Sequence, residues 1–225
     1  MGKFIISDKK GECKKMKDQA NKTFWQKVSG VYGLFMKKDR KMYEEISREI
    51  GADLDKSMTV LELACGTGQL SFLISQSVGF LEATDFSENM IHTAKKKQAP
   101  ENLRFSVQDA TDLQFEPEVF DVVVIANALH IMPAPEKALS EIYRVLKPGG
   151  FLFAPTFVAA KGEKGYLSTR ILNLLGFHTF HSWDDQSLTA FVAENGFEPA
   201  AVRMIHTGFL PLCCLKARKR PEIFN

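Results

Sequence analysis

The chain has 225 residues, of which 45% are hydrophobic and 25% charged, and a formal net charge of +2. That balance excludes a disordered or fibrous protein and fits one large α/β domain whose core needs no disulfide staples. The charge is uneven: residues 1–41 hold twelve Lys or Arg against four Asp or Glu, a surplus of +8 that leaves the remainder at −6.

Residues 1–21 read as a mobile basic lead-in. No apolar run of the secretory type lies in it, and it lacks the interleaved aromatics of a base-stacking platform, so contact with nucleic acid is not expected. Transient contact with an anionic membrane surface fits its charge. Residues 22–51 read as N-terminal cap helices, with Trp25, Val28, Tyr32 and Phe35 apolar among lysines, weak points at Gly30 and Gly33, and a stop at Gly51.

Residues 52–220 alternate strand and helix. Thr59 to Leu63 is a short buried strand, Gly66-Thr67-Gly68 its turn, and Gln69 to Gln76 the start of a helix. Phe80 to Thr84 is a second strand, and Ser87 can cap a helix running to Lys97. Leu103 to Val107 and the apolar run Phe120 to Ile125 are strands, the latter with the pattern of a central parallel one. Pro135 to Leu146 is an amphipathic helix, stopped by Pro148-Gly149-Gly150, and Phe151 to Pro155 the next strand. Residues 157–183, rich in glycine, histidine and aromatics, read as a lid or substrate insertion. Asp184 to Asn195 is a helix, and strands follow at about Ala200–His206 and Leu210–Ala217. Such alternation implies a parallel sheet covered on both faces, with ligands at the carboxyl ends of the strands. The longest apolar run, Val122 to Met132, is too short to span a membrane and contains Asn127 and His130. Cys13, Cys65, Cys213 and Cys214 show no metal-ligand spacing, so no metal site is expected, and reduced thiols in a cytoplasm are.

The chemistry concentrates where the first strand meets its glycine turn. Gly66 and Gly68 let a ligand approach the backbone, and the helix that follows presents free N–H groups. Asp85, 23 positions after Glu62, ends the next strand and can accept bonds from ribose hydroxyls. A dinucleotide site would fit that far, but Ser71 stands where its third glycine belongs. Glu62, inside the strand, gives a pyrophosphate nothing and suits a cationic ligand.

The segment Glu62-x-Ala64-x-Gly66-x-Gly68 resembles motif I of the class I S-adenosylmethionine-dependent methyltransferases. Val107-Gln108-Asp109-Ala110, Phe120-Asp121-Val122-Val123 with Asn127-Ala128-Leu129-His130, and Ala138 to Gly150 resemble three later motifs of that family, in order and spacing over residues 55–156. The resemblance is to the group of ubiquinone and menaquinone methyltransferases and bacterial phospholipid methyltransferases. It implies an α/β, Rossmann-like, doubly wound sheet of seven strands, mostly parallel with an antiparallel final strand, under an N-terminal helical cap.

The same resemblance implies S-adenosylmethionine as cofactor, S-adenosylhomocysteine as product and a small-molecule acceptor. By it, Ala64, Gly66 and Gly68 with Glu62 would hold the methionine part, and Asp85 the ribose, with Phe86 and Met90 alongside. Asp109 and Ala110 would read adenine, Asn127 would line the methyl-transfer pocket, and Tyr32 would close over it. His130 is the candidate general base, placed at the end of the fourth strand, and His178 and His181 are candidate substrate contacts. Asp121 reads as structural. No Asn/Asp-Pro-Pro-Tyr and no Pro-Cys occurs, which argues against nucleic-acid bases. The apolar residues of 157–183 suit a hydrophobic or amphiphilic acceptor. A nicotinamide-dependent oxidoreductase and a non-catalytic S-adenosylmethionine-binding module are the alternatives. Oligomeric state leaves no mark in the sequence.

Overall fold

A computed structural model describes residues 40–159, 180–206 and 211–221. Seven strands form one sheet: β1 (Thr59–Leu63), β2 (Phe80–Asp85), β3 (Leu103–Val107), β4 (Phe120–Ile125), β5 (Leu146–Phe157), β6 (Phe197–His206) and β7 (Pro211–Lys219). Their order is β3-β2-β1-β4-β5-β7-β6. Strands β1 to β5 pair in parallel, and β7 runs antiparallel to both neighbours. The doubly wound sheet with an antiparallel final strand is therefore present.

Two apolar layers cover the sheet. On one face α1 (Arg40–Gly51) sinks Met42, Ile46 and Ile50, at helical spacing, among Val60, Leu81, Val122 and Val124. This face also holds α2 (Ser71–Ile74) and α3 (Glu88–Lys95), through Ile74, Ile91 and Ala94. On the other face α4 (Pro135–Val145) and α5 (Asp185–Glu194) pack Leu139, Ile142, Leu188 and Val192 against Leu61, Val123, Ile125 and Leu215. Residues alternate between the layers along each strand: Cys213 lies in the α4–α5 layer and Cys214 in the α1 layer.

Local chemistry sets the element ends. The Ser87 hydroxyl accepts the Met90 N–H and caps α3. Asp184 and Ser187 form a reciprocal capping box on α5. Asp121 ties the lower end of the sheet, accepting the Thr59 N–H at 2.8 Å and the Lys147 ammonium at 2.7 Å.

Three boundaries differ from the sequence reading. The helix after the glycine turn is short: α2 gives way to a 3-10 turn at Ser75–Ser77, where the Ser75 hydroxyl bonds back to the Phe72 carbonyl. Helix α4 ends at Val145, and Pro148-Gly149-Gly150 does not stop it but bulges within β5, between the Phe120–Leu146 and Val122–Phe151 pairs. Strand β6 begins at Phe197, with a bulge at Pro199–Ala201 that absorbs the proline.

The sheet order reverses between β1 and β4, which both open toward the same crevice. There the backbone is strained at two non-glycine residues, Ala64 (φ 55°) just past β1 and Asn127 (φ 54°) just past β4. Left-handed conformations at such residues cluster at functional sites.

Candidate functional site

A cleft opens at this crevice. Its walls include Glu62 from β1, Ala64 and Gly66 from the turn after it, Asp85 and Phe86 from the β2 end, Met90 from α3, and Asn127 from the β4 end. Seven of the residues singled out from the sequence thus meet on one surface.

The β1 turn is held from three sides. The Cys65 N–H donates to the Thr84 carbonyl at 2.9 Å, the Gly68 N–H to the Cys65 carbonyl at 2.9 Å, and the Gly66 N–H to Asp85 Oδ2 at 2.9 Å. Gly66 and Gly68 take φ of 57° and 83°, and a Cβ on Gly68 would stand 2.8 Å from the Phe105 ring. Gly68 packs beneath the turn and is not part of the cleft wall.

Two buried carboxylates dominate the electrostatics. Glu62 is 2% exposed and its Oε2 has no hydrogen-bond partner. Burial pushes its carboxyl up to about 7; the nearby Ser71 hydroxyl opposes this and the Asp85 charge adds to it. Burial also raises Asp85 to about 6, although the Ser87 and Gly66 N–H groups favour its charged form. An unpartnered carboxylate oxygen on the wall of a cleft is costly unless a ligand supplies a cation or a donor.

At the β4 end, the Asn127 N–H donates to the Pro155 carbonyl at 2.7 Å and its Oδ1 accepts the Phe157 N–H at 3.2 Å. With Oδ1 so engaged, the amide nitrogen is the group left to donate into the cleft.

Other sequence candidates sit elsewhere. Asp109 is exposed, and its Oδ1 accepts both the N–H and the hydroxyl of Thr111; Ala110 packs in the α4–α5 layer. His130 does not end β4: it lies in a 3-10 turn, Leu129–Ile131, beyond Asn127. Ala128 and Ile131 line the cleft, whereas the His130 ring is buried, its Nδ1 unpartnered. Burial, then the neighbouring His181, lowers His130 to about 4. The His181 ring stacks on Trp183 with ring centres 5.0 Å apart, and the His181 backbone N–H donates to the His130 carbonyl. Of the insertion, Val158 packs into the α4–α5 layer and Phe157 against the α1 layer rather than lining the cleft. Tyr32, Trp25, His178 and residues 160–179 lie outside the described residues.

The sequence reading missed Tyr43, which lines the cleft from α1. Its signal was available: it adjoins Met42 on the Met42–Ile46–Ile50 stripe, at the edge of the buried face.

Known proteins share the sequence pattern and the fold of this chain. Residues 61–154 match the family model described as a methyltransferase domain. The demethylmenaquinone methyltransferase of Clavibacter sepedonicus is 30% identical over 173 residues, 68% of this chain and 71% of that protein. The protein of the same name from Leptospira interrogans is 44% identical over 110 residues, a match that spans 46% of this chain and only 44% of that protein. Among solved structures, the complex of the Haloferax volcanii Trm112 methyltransferase activator with a putative methyltransferase superposes with a TM-score of 0.74 at 19% identity, covering 88% of this chain and 98% of that one. Magnesium protoporphyrin IX methyltransferase from Synechocystis, solved with bound S-adenosylhomocysteine, gives 0.65 at 20% identity, over 82% and 84% of the two chains. The chain belongs to the methyltransferase-domain family, among the class I S-adenosylmethionine-dependent enzymes and in the group of the quinone methyltransferases.

Proposed function

We propose that this enzyme binds S-adenosylmethionine in the β1–β4 cleft and passes its methyl group to a small hydrophobic or amphiphilic acceptor, of the quinol kind that the relatives' name, demethylmenaquinone methyltransferase, implies. One observation carries this reading: the buried, unpartnered Glu62 Oε2 on the cleft wall beside the Ala64–Gly66 turn. The methionine ammonium would supply the missing donor and charge, and would hold the carboxylate ionised at neutral pH. A pyrophosphate would instead bring negative charge against Glu62 and Asp85, which disfavours the nicotinamide alternative.

Asp85 has lone pairs beyond those used by Gly66 and Ser87, and would take the ribose hydroxyls. Phe86, 36% exposed, and Met90 offer apolar surface to the base, and Asp109 would reach adenine with its second oxygen. The sulfonium is already an activated leaving group, so transfer needs chiefly an in-line alignment of acceptor, methyl and sulfur. Such positioning lowers the barrier by roughly 7–11 kcal/mol in ideal cases. Asn127 would fix the acceptor through its amide N–H. His130 would serve as base only if its ring turned toward the wall formed by Ala128 and Ile131.

Calorimetric titration with S-adenosylmethionine, S-adenosylhomocysteine and NADH, on wild type and Asp85→Ala, tests the cofactor. Binding of both adenosyl ligands at micromolar affinity or better, lost in the variant, is expected; NADH binding in their place would overturn it. A radiolabelled methyl screen over quinols, amines, thiols and phospholipids then tests the acceptor. Transfer to quinols is expected, and transfer confined to water-soluble amines would sink the hydrophobic assignment.

A further inference from the structure

Outside the cleft wall, one charged side chain holds the cofactor turn. Lys97 follows α3, as the last of the three consecutive lysines Lys95, Lys96 and Lys97. Its ammonium reaches back to donate to the Thr67 carbonyl at 2.6 Å, 30 positions earlier. On the way it lies 5.5 Å from the centre of the Phe72 ring. Thr67 is 1% exposed and sits at the middle of the turn whose ends are joined by the Gly68 N–H and the Cys65 carbonyl. The Thr67 carbonyl and the Gly68 N–H belong to one peptide group. A cation bonded to that oxygen polarises the group and strengthens the N–H as a donor to Cys65. The chain Lys97 to Thr67, then Gly68 to Cys65, fixes Ala64 and Gly66, both of which face the cleft.

We propose that Lys97 is a positioning residue for cofactor binding: its bond to the Thr67 carbonyl locks the glycine turn, from behind, in the shape that receives S-adenosylmethionine. The proposal rests on the cofactor assignment above, but the lock itself is a property of the ligand-free protein. Lysine suits the task because a compact ammonium on a long stem can cross an aromatic ring and end on a single oxygen.

Hydrogen exchange on the ligand-free full chain reads the lock directly, with Lys97→Met, Lys97→Gln and Lys97→Arg beside wild type. In Lys97→Met the Gly68 amide is expected to exchange at least about tenfold faster, while the Leu61 and Leu63 amides in β1 keep their wild-type rates. Affinity for S-adenosylhomocysteine should fall about tenfold in the same variant, and Lys97→Arg should recover most of both effects. An unchanged Gly68 amide in folded Lys97→Met would overturn the proposal, as would equal acceleration of the β1 amides, which marks general loosening. Should Lys97→Met fail to fold, the neutral Lys97→Gln carries the same comparison. If wild type binds no adenosyl ligand, the cofactor assignment falls, and the exchange rates still decide the lock.

Discussion

At the residue scale, Glu62 is the group whose chemistry depends most on what fills the cleft. Its folded carboxyl titrates near 7 against an ordinary 4.5, and burial is the main cause. Between those pH values an unfolded chain has released this proton while the folded one keeps it. Stability contributed by the group is therefore lost as pH rises through the window, by a few kcal/mol at most. Asp85 acts in the same direction between its ordinary 3.8 and about 6. The melting temperature of the ligand-free protein should fall from pH 5 to pH 7.5, with a flatter profile in Glu62→Gln. S-adenosylmethionine, by pairing with the ionised form, should bind more tightly at pH 7.5 than at pH 5.5, and the variant should show a smaller pH response, the remainder coming from Asp85. A steeper profile in Glu62→Gln would contradict the assignment.

His130 poses the opposite question. A ring held near pKa 4 accepts a proton poorly at neutral pH. His130→Gln separates its two roles. A fall in kcat of about a hundredfold or more, with cofactor affinity unchanged, would make it the base; near-wild-type turnover would assign it to packing beneath the cleft.

At the element scale, the strand-to-turn junctions set the site. In Gly68→Ala, a Cβ would enter a left-handed backbone and approach the Phe105 ring at 2.8 Å. The variant should lose about 2 kcal/mol or more, lowering the melting temperature by about 4–8 °C, and bind cofactor weakly although Gly68 touches no part of the cleft. Wild-type melting would show that Phe105 and the turn can shift at little cost.

The strands themselves were legible because each parallel strand is a short apolar run between polar turns, as at Thr59–Leu63 and Phe120–Ile125. Boundaries failed where tertiary bonds outweigh local propensity. Pro148-Gly149-Gly150 reads locally as a stop, yet the Phe120–Leu146 pair and the Arg218 bond to the Gly149 carbonyl hold it within β5. The wall formed by Glu62, Gly66, Asp85 and Asn127 was visible because those residues lie at or just past the carboxyl ends of strands. Lys97 was not, since its side chain crosses back to a turn 30 positions earlier through a contact that no local pattern states, whereas Tyr43 left a trace in its place beside the Met42–Ile46–Ile50 stripe.

At the scale of the whole molecule, the sheet order explains why residues from 62 to 127 share one surface. β1 must pair with β4 across all of β2 and β3, so the crevice exists only once both halves of the sheet have joined. A ligand seated there stabilises the joined state by mass action.

Strand β7 gives the same assembly a built-in pair of reporters. Cys213 and Cys214 are adjacent in sequence, yet each is sealed in a different apolar layer, where burial raises their thiols to about 11 and about 12. Neither can be alkylated while its own layer is closed. The two neighbouring sulfurs therefore record separately whether the helices above and below the sheet come away together or one side at a time.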